Sequence, residues 1–302
     1  MKLLTLNLHS LVEIRGMDLS WEHRFHDLAE RILQEQYDLI ALQEVNQPEN
    51  GRRLTAEELK DTGYVGISEE ETIREGNAAS ELVKVLHAKG VSYQWSYCFS
   101  HLGYETFEEG TAMLSRLPVQ RAFSLDVSRK EEKGRWTYRR QTCLEILQDR
   151  KKIFACSVHF GWWNGRAGSE GFPAQWGRML EQLGSLPDVT AFLMGDFNNA
   201  DTVRGEGYDL VTGKDVFFDS YMLAEQKEGK DSIATILTST IDGWEKNQGD
   251  AKRLDYIMIS RPLKVSSYHT VFDGKNAPVV SDHFGVEVEL SWHTGSPDKH
   301  RS

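Results

Sequence analysis

Apolar residues recur along this chain with two periods, and the elements follow from which period holds where. The run Lys2-Leu3-Leu4-Thr5-Leu6 predicts a buried strand; Trp21, Phe25, Leu28, Ala29, Ile32 and Leu33 recur at helical spacing; Asp38 to Gln43 predicts a second strand. The chain therefore opens as a β-α-β unit. Residues 46–77 are polar and carry Pro48, Gly51, Gly63, Gly66 and Gly76, which predicts a long loop before a helix containing Leu82, Val83, Val85 and Leu86. From Tyr93 strands dominate: Tyr93 to Phe99, Ala112 to Leu114, Tyr138 to Leu147 and Ile153 to Phe160, the last two forming a hairpin around Gln148 to Lys152. A helix over about Pro173 to Leu186 begins with proline where a first turn tolerates it, and the apolar strand Thr190 to Met194 follows. Leu254 to Ile259, Val265 to Phe272 and Gly285 to Leu290 predict three closing strands. No linker rich in proline, glycine or serine interrupts this order, so one large α/β domain over 1–292 is expected, followed by a polar tail over 293–302.

Composition narrows the partners. The 302 residues are 39% hydrophobic and 27% charged, which excludes wholesale disorder and a membrane bundle, and no run approaches the roughly 18 apolar residues of a membrane helix. With 35 basic against 46 acidic side chains the net charge is -11, a surface that repels polyanions unless a metal or a local basic groove intervenes. No stable nucleic-acid complex and no membrane partner are expected. Cys98, Cys143 and Cys156 are far apart and read most simply as small core residues of a reducing compartment. With no basic-then-apolar leader after Met1, a cytoplasmic protein is expected.

The informative feature is a set of polar residues at strand ends, where α/β folds gather their sites. Asn7 follows the first strand, Glu44 the second, and His159 ends the hairpin; Gly195-Asp196-Phe197-Asn198 follows Phe192-Leu193-Met194, Asp255 lies at the start of a strand, and Ser281-Asp282-His283 precedes the last one. A carboxylate after a strand is usually a cap or turn former, and a lone histidine is usually structural. Six such elements in this order carry more weight than any one of them.

Together they resemble the endonuclease/exonuclease/phosphatase superfamily, the DNase I-like group, on Leu42-Gln43-Glu44, Gly110-Thr111-Ala112-Met113-Leu114-Ser115-Arg116-Leu117-Pro118, Gly195-Asp196-Phe197-Asn198 and Ser281-Asp282-His283. The resemblance implies a four-layer α/β sandwich of two packed, mixed and largely antiparallel sheets flanked by helices, with one site at the strand ends. It further implies magnesium, with manganese as substitute, held by Glu44 with Asn7 and Asp282; an oxygen set of that kind suits a hard cation. By the same resemblance His283 is general base or phosphate anchor, Asp255 orients its ring, Asp196 and Asn198 position the attacking water, and His159 stabilises the transition state; whether Asp196 or His283 takes the proton stays open. Where apurinic endonucleases of this group carry an aspartate, this chain has His9, for which a place at the metal and a plain loop role are both open.

Fold and motifs leave the substrate undecided between phosphomonoesters and diesters. Phe160-Gly161-Trp162-Trp163-Asn164-Gly165-Arg166 follows His159 directly, and Trp176 comes soon after. Tryptophan faces beside Arg166 suit a sugar ring bearing phosphate, although core packing serves Trp176, and loop packing Trp162 and Trp163, equally well. Arg204 is a further pocket candidate or a simple surface charge, and Trp244 another pocket candidate. The finer resemblance, through Asn7-Leu8-His9 and His159-Phe160-Gly161-Trp162-Trp163, is to cytoplasmic bacterial proteins that include maltose 6'-phosphate phosphatases. A small sugar phosphate is therefore the expected substrate, with a DNA or RNA nuclease as the alternative.

Overall fold

Strands β1 (Lys2–Asn7) and β2 (Leu39–Pro48) run parallel, joined by α1 (Trp21–Glu35), as the opening pattern predicts. The computed structural model describes residues 1–14, 20–184, 189–213, 216–227, 234–237 and 251–292. Trp244 and the tail from His293 lie outside the described residues.

After α2 (Ala56–Lys60) and α3 (Ala78–Ala88) come β3 (Gln94–Gly103), β4 (Phe107–Ser115), β5 (Val119–Asp126), β6 (Arg140–Gln148) and β7 (Lys151–His159). Next are α4 (Phe172–Gly184), β8 (Thr190–Asp196), α5 (Gly207–Thr212), β9 (Phe218–Asp219), α6 (Ser220–Leu223) and β10 (Gln226–Lys227). A two-stranded piece, β11 (Ile236–Leu237) with β12 (Ala251–Lys252), precedes β13 (Asp255–Ile259), β14 (Lys264–Val271) and β15 (Gly285–Ser291). One sheet has seven strands in the order β10-β14-β15-β1-β2-β4-β3 and the other six in the order β5-β6-β7-β8-β13-β9. Both are mixed: β1 with β2, β10 with β14 and β7 with β8 are parallel, the remaining pairs antiparallel.

The near-continuous apolar runs arise because central strands are covered on both faces. Leu3, Leu39 and Ala41 point into the space between the sheets, against Leu144, Ile153, Phe192, Met194 and Ile257. Their neighbours Leu4, Leu6, Ile40 and Leu42 point outward, onto Leu28, Ile32, Leu82 and Leu86 of α1 and α3. On the far side, Phe154, Cys156 and Leu193 meet Phe172, Trp176 and Met179 of α4. Helix, sheet, sheet and helix thus form the four layers expected.

Three expectations change. The 46–77 loop is shorter, because β2 runs on to Pro48 and a capping box of Thr55 and Glu58 starts α2. Strand β5 was absent from the hydrophobic pattern because it is an edge strand with Gln120 and Arg121 exposed. Cys143 and Cys156 are not lone thiols: they sit opposite each other across β6 and β7 as a disulfide, with Cα atoms 4.2 Å apart, and Cys98 alone is free.

Candidate active site

The face between the sheets is apolar along most of its length and turns polar at one end. There Asn7 is paired in register with Gln43, and Asp196 with both His159 and Asp255, so three strand ends of one sheet meet two of the other. Gln43 staples them from below: its Nε2 donates to Ser157 Oγ at 2.8 Å and to Thr5 Oγ1 at 3.3 Å. Above this floor opens a cleft of about 420 Å³ whose walls include His9, Glu44, Glu109, Arg139, His159, Asp196, Asn198, Asp282 and His283.

Asp196 Oδ2 is the hub. It lies 3.8 Å from Nε2 of His159 and 3.8 Å from Nε2 of His283, and accepts from Asn7 Nδ2 at 3.3 Å. Its other oxygen accepts the Asn198 backbone N–H at 2.7 Å. Burial, followed by the charge of Asp255, pushes the Asp196 carboxyl up to about 7. His283 Nδ1 is 2.9 Å from Asp255 Oδ2. Burial by itself would lower that imidazole, but the charge and hydrogen bond of Asp255 outweigh it and hold His283 well above the ordinary histidine range. His159 goes the other way: burial, then Arg139, keeps it neutral. Gln141 fixes its backbone, accepting the His159 N–H at 2.7 Å and donating to its carbonyl at 3.1 Å.

Glu44 occupies a bulge in β2, between the pairs Leu42–Ala112 and Val45–Gly110, with φ at 47°. Asn7 Nδ2 donates to its Oε1 at 2.9 Å, and His9 Nδ1 lies 3.2 Å from its Oε2 and 3.7 Å from Asp282 Oδ2. Burial opposes ionisation of Glu44, but the His9 hydrogen bond and charge lower its pKa well below the usual carboxylate range. The groups facing the cleft here are the carboxylates of Glu44 and Asp282 and the imidazole of His9, a set that fits a divalent cation. Asp196, Asp255 and His283 also bring ligand-type atoms within 4.8 Å of one another, but a direct hydrogen bond between His283 and Asp255 already occupies the two facing atoms.

The sequence profile of the Endonuclease/Exonuclease/phosphatase family matches residues 4–283. The chain belongs to that family. A family protein from Leptotrichia buccalis has the same fold at 29% identity and TM-score 0.78, covering 97% of this chain and 100% of that one. The endonuclease/exonuclease/phosphatase from Bacteroides vulgatus follows at 18% identity and TM-score 0.66, covering 96% and 98%. A mannosyl-6-phosphatase from Bacteroides thetaiotaomicron is 18% identical with TM-score 0.58, covering 97% and 100%. No curated protein sequence matches this one significantly. Enzymes of this family hydrolyse phosphate esters, which sets the reaction class. No helix among the described residues is long and apolar enough to cross a membrane.

Not every sequence candidate reaches this family cleft. Trp162 and Arg166 do, with the Arg166 guanidinium 4.1 Å from the Trp162 ring centroid. Trp163 does not: it lines a neighbouring groove with Val203 and Glu206 and packs on the α4 side core. Arg204 is 74% exposed and paired with Asp209 at 2.9 Å, a surface charge. Trp176 is 3% exposed, wedged among Phe160, Phe172 and Phe217, and is therefore core. Trp176→Ala is expected to cost about 3–5 kcal/mol of stability, measured by urea unfolding, while KM of the folded variant stays unchanged. A raised KM at near-native stability would return Trp176 to the binding site.

Two groups escaped the sequence reading. Arg24, 1% exposed on the inner face of α1, donates to the carbonyls of Leu8, His9, Val12 and Val280, and so ties the loop carrying His9 to the one before Asp282. Helical periodicity assigns such a residue to solvent. The second group is Glu109, His101 and Arg139 on the cleft wall. Burial, then Glu44, raises Glu109 to about 8; burial, then Arg139, lowers His101 to about 3. Their Nε2 and Oε1 atoms are 3.3 Å apart.

Proposed function

We propose that this protein is a magnesium-dependent phosphomonoesterase that removes phosphate from a sugar phosphate, maltose 6'-phosphate being the leading example. The observation that carries the reading is Asp196 Oδ2 standing between the two imidazoles of His159 and His283, with Asp255 behind the second and Glu44 sharing the Asn7 amide N–H donor with Asp196. Across such a 3.8 Å gap a water can donate to Asp196 Oδ2 while accepting from the imidazole N–H.

Glu44 and Asp282 would hold the cation, with Asn7 orienting Glu44 through its amide N–H; when bound, the cation would neutralise phosphate oxygens and stabilise charge in the transition state. Asp196, poised near neutrality, takes the proton of the attacking water as the new phosphorus–oxygen bond forms and the bond to the sugar oxygen breaks, the sugar leaving as its alcohol with a proton from solvent. His283 is already charged and cannot accept that proton; it donates to a phosphate oxygen. His159 and the Asn198 amide offer further donors from the opposite side of the hub. Trp162 and the exposed Trp136, ring centroids 5.7 Å apart, with Arg166 alongside, supply aromatic and polar surface for a sugar. The fold neighbour that is a mannosyl-6-phosphatase is compatible with this choice.

The test compares phosphate release from phosphorylated mono- and disaccharides with cleavage of an aryl phosphodiester and of plasmid DNA. Turnover of a disaccharide phosphate that disappears with chelator supports the proposal; nicking of DNA without sugar-phosphate turnover overturns it in favour of a nuclease. The pH profile supplies a second check. Because Asp196 must be ionised to act, kcat/KM should rise with pH to a plateau with a midpoint of about 7 or below, a bound cation pulling it down. A rate that falls steadily from pH 5 upward would remove Asp196 from the role of base.

A further inference from the structure

Arg139 is a buried cation facing the cleft without a counter-charge. It is 4% exposed, and among the described residues no carboxylate lies within 4.0 Å of it. Its Nη1 donates to the carbonyls of Trp136 at 3.0 Å and Tyr138 at 3.3 Å, and Ser128 Oγ accepts its backbone N–H at 2.9 Å, so the side chain is anchored along one edge. The other edge is idle: Nε is buried with no partner, and Nη2 makes no hydrogen bond among the described residues. The indole N–H of Trp162, whose ring lies 5.9 Å from the guanidinium carbon, is likewise buried and unpartnered. Leaving a buried charge and two buried donors unsatisfied is costly unless something else completes them.

We infer that the free Nε–Nη2 edge of Arg139 binds the oxygens of a dianionic phosphomonoester and selects it over a diester. The Nε–Nη2 edge is the one that pairs bidentately with an oxyanion. Arg139 lines the same cleft as Glu44, His159 and Asp196, the end of the cleft assigned to the reacting phosphate. Glu109, the strongest charge acting on it, has its carboxyl raised to about 8 and so leaves Arg139 largely uncompensated at neutral pH. A monoester has a second ionisation near pH 6 and so bears about one more charge than a diester at pH 7; a further cation beside the metal and His283 rewards that difference. The inference rests on the phosphomonoesterase reading and names the residue that would enforce it.

The experiment uses the full chain with magnesium and three proteins: wild type, Arg139→Gln and Arg139→Lys. For Arg139→Gln, kcat/KM on a sugar phosphate or 4-nitrophenyl phosphate is expected to fall about 100-fold, and on bis(4-nitrophenyl) phosphate by no more than about threefold. Arg139→Lys keeps the charge without the planar fork and serves if the glutamine variant does not fold; about a tenfold selective loss is expected. Inorganic phosphate binding, read by calorimetry, should weaken in parallel. Equal losses on both ester classes, or unchanged phosphate binding, would overturn the role of Arg139 and leave the phosphatase reading standing. A wild-type enzyme active on diesters alone would overturn both.

Discussion

Replacing His283 with alanine is expected to lower kcat by about 10³-fold with KM changed by less than about threefold. The expectation follows from where its charge sits. His283 is pinned by Asp255 at 2.9 Å on one ring nitrogen and aims the other at the hub, 3.8 Å from Asp196. A charged donor buried in a cleft stabilises the charge that builds on phosphate oxygens in the transition state more than the charge of the bound substrate, so its loss appears in kcat. Asp255→Asn should reproduce most of the effect, because an amide can present its N–H to Nδ1 and then stabilises neither the charge nor the required tautomer. Single-turnover and steady-state kinetics on the three proteins decide the matter. A His283→Ala variant that keeps kcat and only raises KM would make the imidazole a binding group, without a part in the chemical step.

Glu44→Gln is expected to abolish the response to divalent cation. Wild type should gain thermal stability as magnesium is titrated, since any ligand that binds only the folded state stabilises it by mass action. The amide keeps the size of the side chain but not its charge, and apparent metal affinity should drop by at least about 10–100-fold, the loss typical even of residues that merely support a ligand. Activity should fall with it and should not return at saturating substrate. Scanning fluorimetry with increasing magnesium reads the metal response independently of catalysis; an identical melting shift in wild type and Glu44→Gln would mean that the cation is held elsewhere, with the Asp196, Asp255 and His283 cluster as the next place to look.

How much of this was readable beforehand depended on whether a residue's role follows from period or from register. The layers were legible because Leu3 and Leu4, or Leu39 and Ile40, serve opposite faces of buried strands, which leaves an apolar run in the sequence. The polar hub was legible as residues that interrupt those runs at their ends. Trp176 stood open between pocket and core, although Phe172, Trp176 and Met179, spaced by four and three, form the stripe of a helix face turned to the core. Glu109 and Arg139 could not be picked out, because each has a like-charged neighbour, Glu108 and Arg140, and only pairing decides which of the two enters the cleft. Glu108 goes to Arg74 and Arg140 to Asp126 and Glu71, while Glu109 and Arg139 face inward. Arg24 was hidden by the rule that polar residues on an amphipathic helix face water. Its partners are carbonyls of two loops, and nothing in a local window signals a loop's need for a donor.

The bulge that turns Glu44 toward the cleft also sets the terms on which this protein can be made sturdier. Glu44, His9 and Asn198 all have left-handed backbone, with φ at 47°, 42° and 52°. Each such residue carries strain on the order of 1 kcal/mol, less for asparagine than for the others. Glycine at those positions would relieve it, at Glu44 in exchange for the hydrogen bonds with Asn7 and His9. Selection for heat resistance alone exerts no pressure to keep these strained residues, so any laboratory evolution of this scaffold has to screen for turnover in every round.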